Sequence, residues 1–267
     1  MTGVRDEQST TAGDSHEATD PVELSAEFLL AVRREEATGG VTDRLAALRD
    51  DALAAALDTD GDRVAFWTNI YNAATQRALA DEPDRYESRR EFFSTPLVTV
   101  AGRRLSLDEI EHGILRRSYN KLTLGYVRSP RRLRDRFTER HAPGERDSRV
   151  HFALNCAANS CPPIAAYTRE EVDSQLDRAT RGYLDRHVSY EPDARGRVGG
   201  LVGAGRVVVP RVMLWFRGDF GGRSGVLAFL RRYDQLPQDA NPRLSYRDWD
   251  WSFDPGDYAD EPYAPDG

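Results

Sequence analysis

Residues 62–80 read DRVAFWTNIYNAATQRALA, and the period of this stretch decides the architecture. At 100° per residue, Phe66, Ile70, Ala73 and Ala74 form one apolar face, which Trp67 and Tyr71 widen. A helix that is apolar nearly all round belongs at the centre of a fold. Asn69, Asn72 and Gln76 nevertheless share one stripe, at spacings of three and four. A buried polar group left without a partner costs about 1–3 kcal/mol, so these amides must be used. Either they bind the backbone of a neighbouring loop and fix the fold, or they line a site as donors to a ligand or developing oxyanion.

Working outward, other helices surround this one. Asp20-Pro21 opens a helix with Glu23 in its first turn, and Gly39-Gly40 ends it. A second is expected over about Asp43–Leu57. Ser106 with Glu109, and Thr168 with Glu171, are capping-box pairs that each start a helix. A short late helix is expected from Gly225. TPLVTVAGRRLSL (95–107) reads as a hairpin, RVHFALNC (149–156) as a buried strand, and VSYEP, GRVGGLV and RVVVP as a small antiparallel set. RLSYRDWDW (243–251) alternates as a half-buried strand does. Helices first and strands later give an α+β class, with N-terminal helices around the buried helix, packed on a small, mostly antiparallel sheet.

Two further stretches break local rules. In SLDEIEHGILRR (106–117), Leu107, Ile110, Ile114 and Leu115 mark the apolar face, with Glu111 inside it and His112 at its edge. A carboxylate there needs a cation or several donors, or it takes up a proton. It serves as an acid or base, holds an imidazole in one tautomer, or pairs structurally with an arginine. RVHFALNCAANSCPPIAAY (149–167) contains both cysteines of the chain, Cys156 and Cys161. A thiol beside a tight loop of small residues can be presented as a nucleophile or simply end a core element. Taken as a strand, the segment sends His151 and Asn155 to one face and Cys156 to the other. That separation argues against a direct His151–Cys156 pair and leaves His112 as the candidate base.

The spacing of His112, His151, Cys156 and Cys161 fits no familiar zinc pattern. No P-loop, dinucleotide loop or GxSxG elbow is present, so the sequence calls for no metal and no cofactor. A net charge of −7 excludes a general nucleic-acid binder. No apolar run is long enough to span a bilayer, and no secretory h-region is recognised, so a cytoplasmic, soluble protein without membrane contact is expected. Lys121 is the only lysine among 37 basic residues, a bias that fits a salt-adapted, halophilic surface as well as a GC-rich genome. Residues 1–20 and 255–267 have the composition of disordered acidic tails, leaving 21–254 as a single α+β domain. The arginine-rich segment 128–140 (RSPRRLRDRFTER) is interrupted by Asp135 and Glu139 and reads as a solvated face.

AFWTNIYNA (65–73), LSLDEIEHGILR (105–116), HFALNCAANSCPPIAAYT (151–168), DFGG (219–222), GVLAFLRRYD (225–234) and YRDWDWSFD (246–254) together resemble the family called domain of unknown function 547. The resemblance covers roughly residues 60–254, and NC followed by SCPP is its most specific part. Two positions depart from the family pattern: Ala157 stands where a Gly often follows the first cysteine, and RVMLWFRG before DFGG lacks a lysine. The resemblance implies little chemistry. Its plant members join the domain to a leucine zipper, which points to a binding module, whereas the matched polar residues are of catalytic type.

Two functions follow. One is a cysteine-dependent hydrolase or acyl transferase acting on a small-molecule or peptide substrate, with Cys156 or Cys161 as nucleophile. His112 is its base, oriented by Glu111, with His151 a further catalytic candidate and Asn69, Asn72 and Asn155 lining the substrate. The other is a non-catalytic interaction domain whose buried polar residues are structural. Its protein partner would be acidic and would meet Arg131, Arg132 and Arg134.

Overall fold

Asp20 caps the first helix: its carboxylate accepts from the Val22 amide at 2.7 Å, Pro21 takes the first turn, and α1 runs Pro21–Arg33. The computed structural model describes residues 20–192, 197–198, 201–202, 205–256 and 258–259. The tail expected over 1–20 therefore lies, but for Asp20, outside the described residues. Of the tail expected over 255–267, Tyr258 is described and bridges Ile164, and the amide of Ala259 bonds the Ile164 carbonyl at 3.0 Å.

The helix expected over 43–57 is two helices, α2 (Gly39–Ala47) and α3 (Asp50–Ala56). The chain turns extended at Leu48 (ψ 145°), and Asp50 and Asp51 then supply an acidic first turn for a new start. The central helix is α4, Asp60–Asp81. Thr59 and Asp62 close a reciprocal capping box at its start, and every residue from Val64 to Gln76 is buried. It packs along α1 and gathers the larger of two hydrophobic clusters around it.

After α5 (Arg89–Ser94), the expected hairpin forms as β1 (Pro96–Val100) and β2 (Arg103–Ser106). In the arginine-rich segment, a 3-10 turn at Arg131–Leu133 precedes α6 (Arg136–His141). Asp135 caps α6, and Arg134 pairs with Glu139. The helix after Thr168 is α7 (Val172–His187), but Thr168 does not box with Glu171. Its amide instead donates to the Gln175 side chain at 2.9 Å.

The strand expected at 149–156 is absent. Asp147 caps Arg149, and residues Ser148–Phe152 wind into a 3-10 turn. The peptide groups that a neighbouring strand would have paired are paired by a side chain. Asn72 Nδ2 donates to the Ala153 carbonyl at 3.0 Å, and Asn72 Oδ1 accepts from the Asn155 amide at 2.9 Å. With that pair satisfied, burial no longer demands a ladder at this point.

The second, smaller cluster lies around α7, β3 (Ser189–Glu191), β6 (Arg206–Val209), α8 (Val212–Trp215), α9 (Gly222–Arg232) and β7 (Arg243–Tyr246). β4 (Arg197–Val198) and β5 (Leu201–Val202) form a separate antiparallel pair. β6 pairs with β3 antiparallel and with β7 parallel, in the order β3-β6-β7. The fold is α+β, a helical body carrying small sheets. The strand expected at 243–251 stops at Tyr246, and the following tryptophans pack in the cavity wall described below.

Candidate functional site

The turn that carries Glu111 and His112 starts as the sequence predicts. Glu109 Oε2 accepts from the Ser106 amide at 2.9 Å, and Ser106 Oγ accepts from the Glu109 amide at 3.2 Å. It then winds as a π-helix over Glu109–Leu115, with the Arg116 amide bonding the Glu111 carbonyl five residues back. Such wide turns are uncommon and often found at functional sites. Here the turn sends Glu111 and His112 to a cavity of about 340 Å³ at the junction of the two clusters.

Cys156 and Cys161 reach the same cavity from a loop held on several sides. Asn155 Nδ2 donates to the Pro162 carbonyl, Asn155 Oδ1 accepts from the Ala157 amide, and Gln76 Nε2 reaches the same oxygen. The 3.4 Å length of that last bond makes it the weakest of the set. Tyr183 donates to the Ser160 carbonyl, and the Asn159 amide donates to the Ser252 carbonyl. Ala157 sits at φ 60°, the left-handed region that favours glycine. That conformation explains why a Gly suits the position where Ala157 departs from the family pattern. The two sulfurs are 2.8 Å apart, and Cys161 Sγ also accepts from the Cys156 amide at 3.1 Å. Contact with Cys161, then burial, pushes the Cys156 thiol well above its ordinary range.

Asp219 anchors the other side. It accepts from Arg116 through Nε at 2.5 Å and Nη2 at 3.2 Å, from Arg146 Nη1 at 2.6 Å and from His151 Nε2 at 3.0 Å. Burial alone would raise this carboxyl, but the bonds from His151 and Arg116 outweigh it and hold Asp219 well below the usual carboxylate range. Gly125 (φ 78°) lies against this centre, where a side chain would run into Asp219. His151 stacks on Phe216, ring centroids 4.4 Å apart and planes 4° from parallel. Since a carboxylate only accepts, Nε2 of His151 carries the proton and Nδ1 keeps the lone pair. Burial pushes His151 below its ordinary value, so the ring is neutral near pH 7.

His112 is fixed in a different way from expectation. Its Nδ1 lies 3.4 Å from Glu111 Oε1, yet Arg116 Nη1 is closer, at 3.0 Å. Arginine only donates, so Nδ1 accepts and the proton of the neutral ring sits on Nε2. Burial and Arg116 push His112 well below its ordinary value. The neutral His112 ring therefore carries its N–H at Nε2, 3.5 Å from Asp108 Oδ1. Glu111, its side chain 17 % exposed, is pushed by burial up to about 7 against the pull of Arg116. Tyr71 Oη stands 3.5 Å from Glu111 Oε2.

The cavity thus brings together Glu111, His112, His151, Cys156 and Cys161, with Asp108 and Lys121 also lining it. The loss of the strand removes the face argument that separated His151 from Cys156. Trp215, Trp249, Trp251 and Phe216 form an apolar wall, with Trp215 5.5 Å from Trp249 and 5.8 Å from Trp251. Asn69, Asn72 and Asn155 do not line it. Asn69 brackets Tyr167, donating to its carbonyl at 2.8 Å and accepting from its amide at 2.9 Å. Asn69, Asn72 and Asn155 each bond backbone groups, whereas Gln76, the third amide of α4, bonds the Asn155 side chain. Among the described residues, no group of three or more His, Cys, Asp or Glu is placed to hold a metal ion.

Sequence reasoning missed Asp219, Arg116, Arg146 and the tryptophan wall. DFGG, which contains Asp219, carried the resemblance, but nothing in its local pattern links it to a segment about a hundred residues earlier. No curated protein and no solved structure matches the chain. The family described as Protein of unknown function, DUF547, matches residues 56–184. The match ends before Asp219, Phe216 and the three tryptophans. The matched stretch carries α4, the Glu111–His112 turn and both cysteines, and over it the chain is similar to the DUF547 family.

Proposed function

We propose that the protein is a thiol-dependent enzyme that hydrolyses or transfers an acyl group. The observation that carries this reading is the convergence of two thiols, a carboxyl titrating near neutrality and two neutral imidazoles on one apolar-walled cavity. Perturbed groups in a concave apolar site are a mark of catalysis.

Cys161 is the nucleophile, because its sulfur accepts from the Cys156 amide, a donor that favours negative charge. Glu111 takes the thiol proton; it lines the same cavity, and its charge acts on the Cys156 thiol. The sulfur attacks the carbonyl carbon, and the oxyanion meets the Nε2–H of His112. Glu111 returns the proton to the leaving group, which departs as a thioester forms. Water or a second acceptor, deprotonated by Glu111, then releases the acyl group. The tryptophan wall selects an apolar acyl chain. Asn72 and Asn155 are positioning residues that hold the cysteine loop.

The test is hydrolysis of a p-nitrophenyl ester with a short acyl chain, with kcat/KM followed against pH. Activity should rise through about pH 7 as Glu111 ionises, and Cys161→Ala should lower kcat/KM by at least about 100-fold. Full activity in Cys161→Ala would refute the mechanism.

A second reading, docking of an acidic partner, is supported by the run of exposed residues Arg131, Arg132 and Leu133, the leucine 71 % exposed. A partner that binds Arg131→Glu/Arg132→Glu as tightly as the native chain would remove that support.

A further inference from the structure

We propose that Cys156 and Cys161 are also a redox couple, which exchanges electrons with a small uncharged disulfide entering the cavity. This activity is separate from acyl chemistry and needs no acyl substrate. Three observations carry it. The sulfurs already touch, at 2.8 Å, without any movement of the chain between them. That chain is held in place: Ala157 through Asn155 and Asp254, Asn159 through Ser252, and Ser160 through Tyr183. Both cysteines are partly exposed as residues and line a cavity walled by aromatic rings, the route by which a small apolar reagent reaches them. They are also the only two cysteines of the chain, so no other intramolecular pairing competes.

The two sulfurs are not equivalent. Cys161 Sγ accepts from the Cys156 amide, whereas Cys156 is the thiol whose proton is held. Cys161 therefore attacks first, as thiolate. Its sulfur bonds one sulfur of the small disulfide, whose S–S bond breaks, and the other half leaves as a thiolate that takes up a proton. Cys156 then loses its proton to Glu111 and attacks Cys161 Sγ of the mixed disulfide. The second half leaves and is protonated in turn. The protein gives up two electrons and two protons, and one small disulfide becomes two thiols.

The experiment uses the full chain, equilibrated without oxygen in graded mixtures of 2-hydroxyethyl disulfide and its thiol. Samples are acid-quenched, alkylated with N-ethylmaleimide and weighed as intact protein. Expected are two species only, a monomer with two adducts and a monomer with none, exchanging reversibly as the ratio changes. Two adducts at every ratio, a stable mixed disulfide on the native chain, or disulfide-linked dimers would overturn the proposal. Single variants test the order of attack while keeping the native measurement independent of them. Cys156→Ser should trap the reagent on Cys161 at least roughly tenfold faster than Cys161→Ser traps it on Cys156. Equal rates, or the reverse order, would overturn the assignment of Cys161 as the attacking sulfur. None of these readouts depends on ester hydrolysis, so the failure of one reading is distinguishable from the failure of the other.

Discussion

Replacing Glu111 by Gln tests how the site is charged. Burial raises this carboxyl from its ordinary 4.5 to about 7 in the folded protein. The folded state therefore binds more protons than the unfolded state between those values. Stability contributed by the neutral carboxyl is fully present below about 4.5 and is lost as pH rises towards 7. The difference is about 2.5 units, and at about 1.4 kcal/mol per unit the loss reaches about 3.5 kcal/mol well above pH 7. This is an upper bound, because the side chain keeps 17 % exposure. Gln imitates the protonated acid and carries no such penalty. Urea unfolding of both proteins should give nearly equal stabilities at pH 4.5, with Glu111→Gln up to about 3.5 kcal/mol more stable at pH 8. A variant whose stability relative to native is the same at both pH values would refute the reasoning. The more stable variant should also be inactive on the ester substrate, since stability and a poised acid–base group oppose each other here.

Asp219→Asn removes the charge on which Arg116, Arg146 and His151 converge, and chemical denaturation should record a loss of about 3–5 kcal/mol. Because Asp219 is held below its ordinary range, its contribution in the native protein should be present at neutral pH and fall away on acidification. Asn72→Ala orphans the Ala153 carbonyl and the Asn155 amide and should cost about 2–6 kcal/mol in urea unfolding, the sum for two unsatisfied peptide groups. Ala157→Gly should stay within about 1 kcal/mol of native, since relief of the left-handed backbone offsets the lost buried methyl. Ala157→Val, branched at the same φ, should lower the melting temperature clearly.

Much of the fold was legible because it rests on period and caps. α4 could be read from its apolar circumference, α1 from Asp20-Pro21, the hairpin from its Gly turn, and the Glu111 turn from Ser106 and Glu109. The failures share a cause. At 149–156 an apolar run looked like a strand because pattern cannot show that Asn72, some eighty residues earlier, would satisfy its peptides. The same distance problem hid the tautomer of His112, which depends on Arg116, and the role of Asp219. Glu111 and the cysteines were legible as polar residues where apolar ones belonged. Their partners were not, because arginine is everywhere in this sequence and no local rule selects Arg116 or Arg146.

The paired amides of α4 have a consequence for motion. Asn69 grips Tyr167 and Asn72 grips Ala153 and Asn155, so both ends of the cysteine segment are bolted to the most buried helix. A surface loop of this size would ordinarily open by itself, far below the free energy of global unfolding. Here the segment can be released only when α4 gives up its side-chain clamps. Its backbone hydrogens at Asn155 and Tyr167 should therefore exchange with solvent as slowly as those in the middle of α4, making loop and helix one cooperative unit. The thiols then sit on a part of the molecule that resists local opening, and two indoles of the facing wall, Trp249 and Trp251, are tied to the same loop through Asp250 and Ser252.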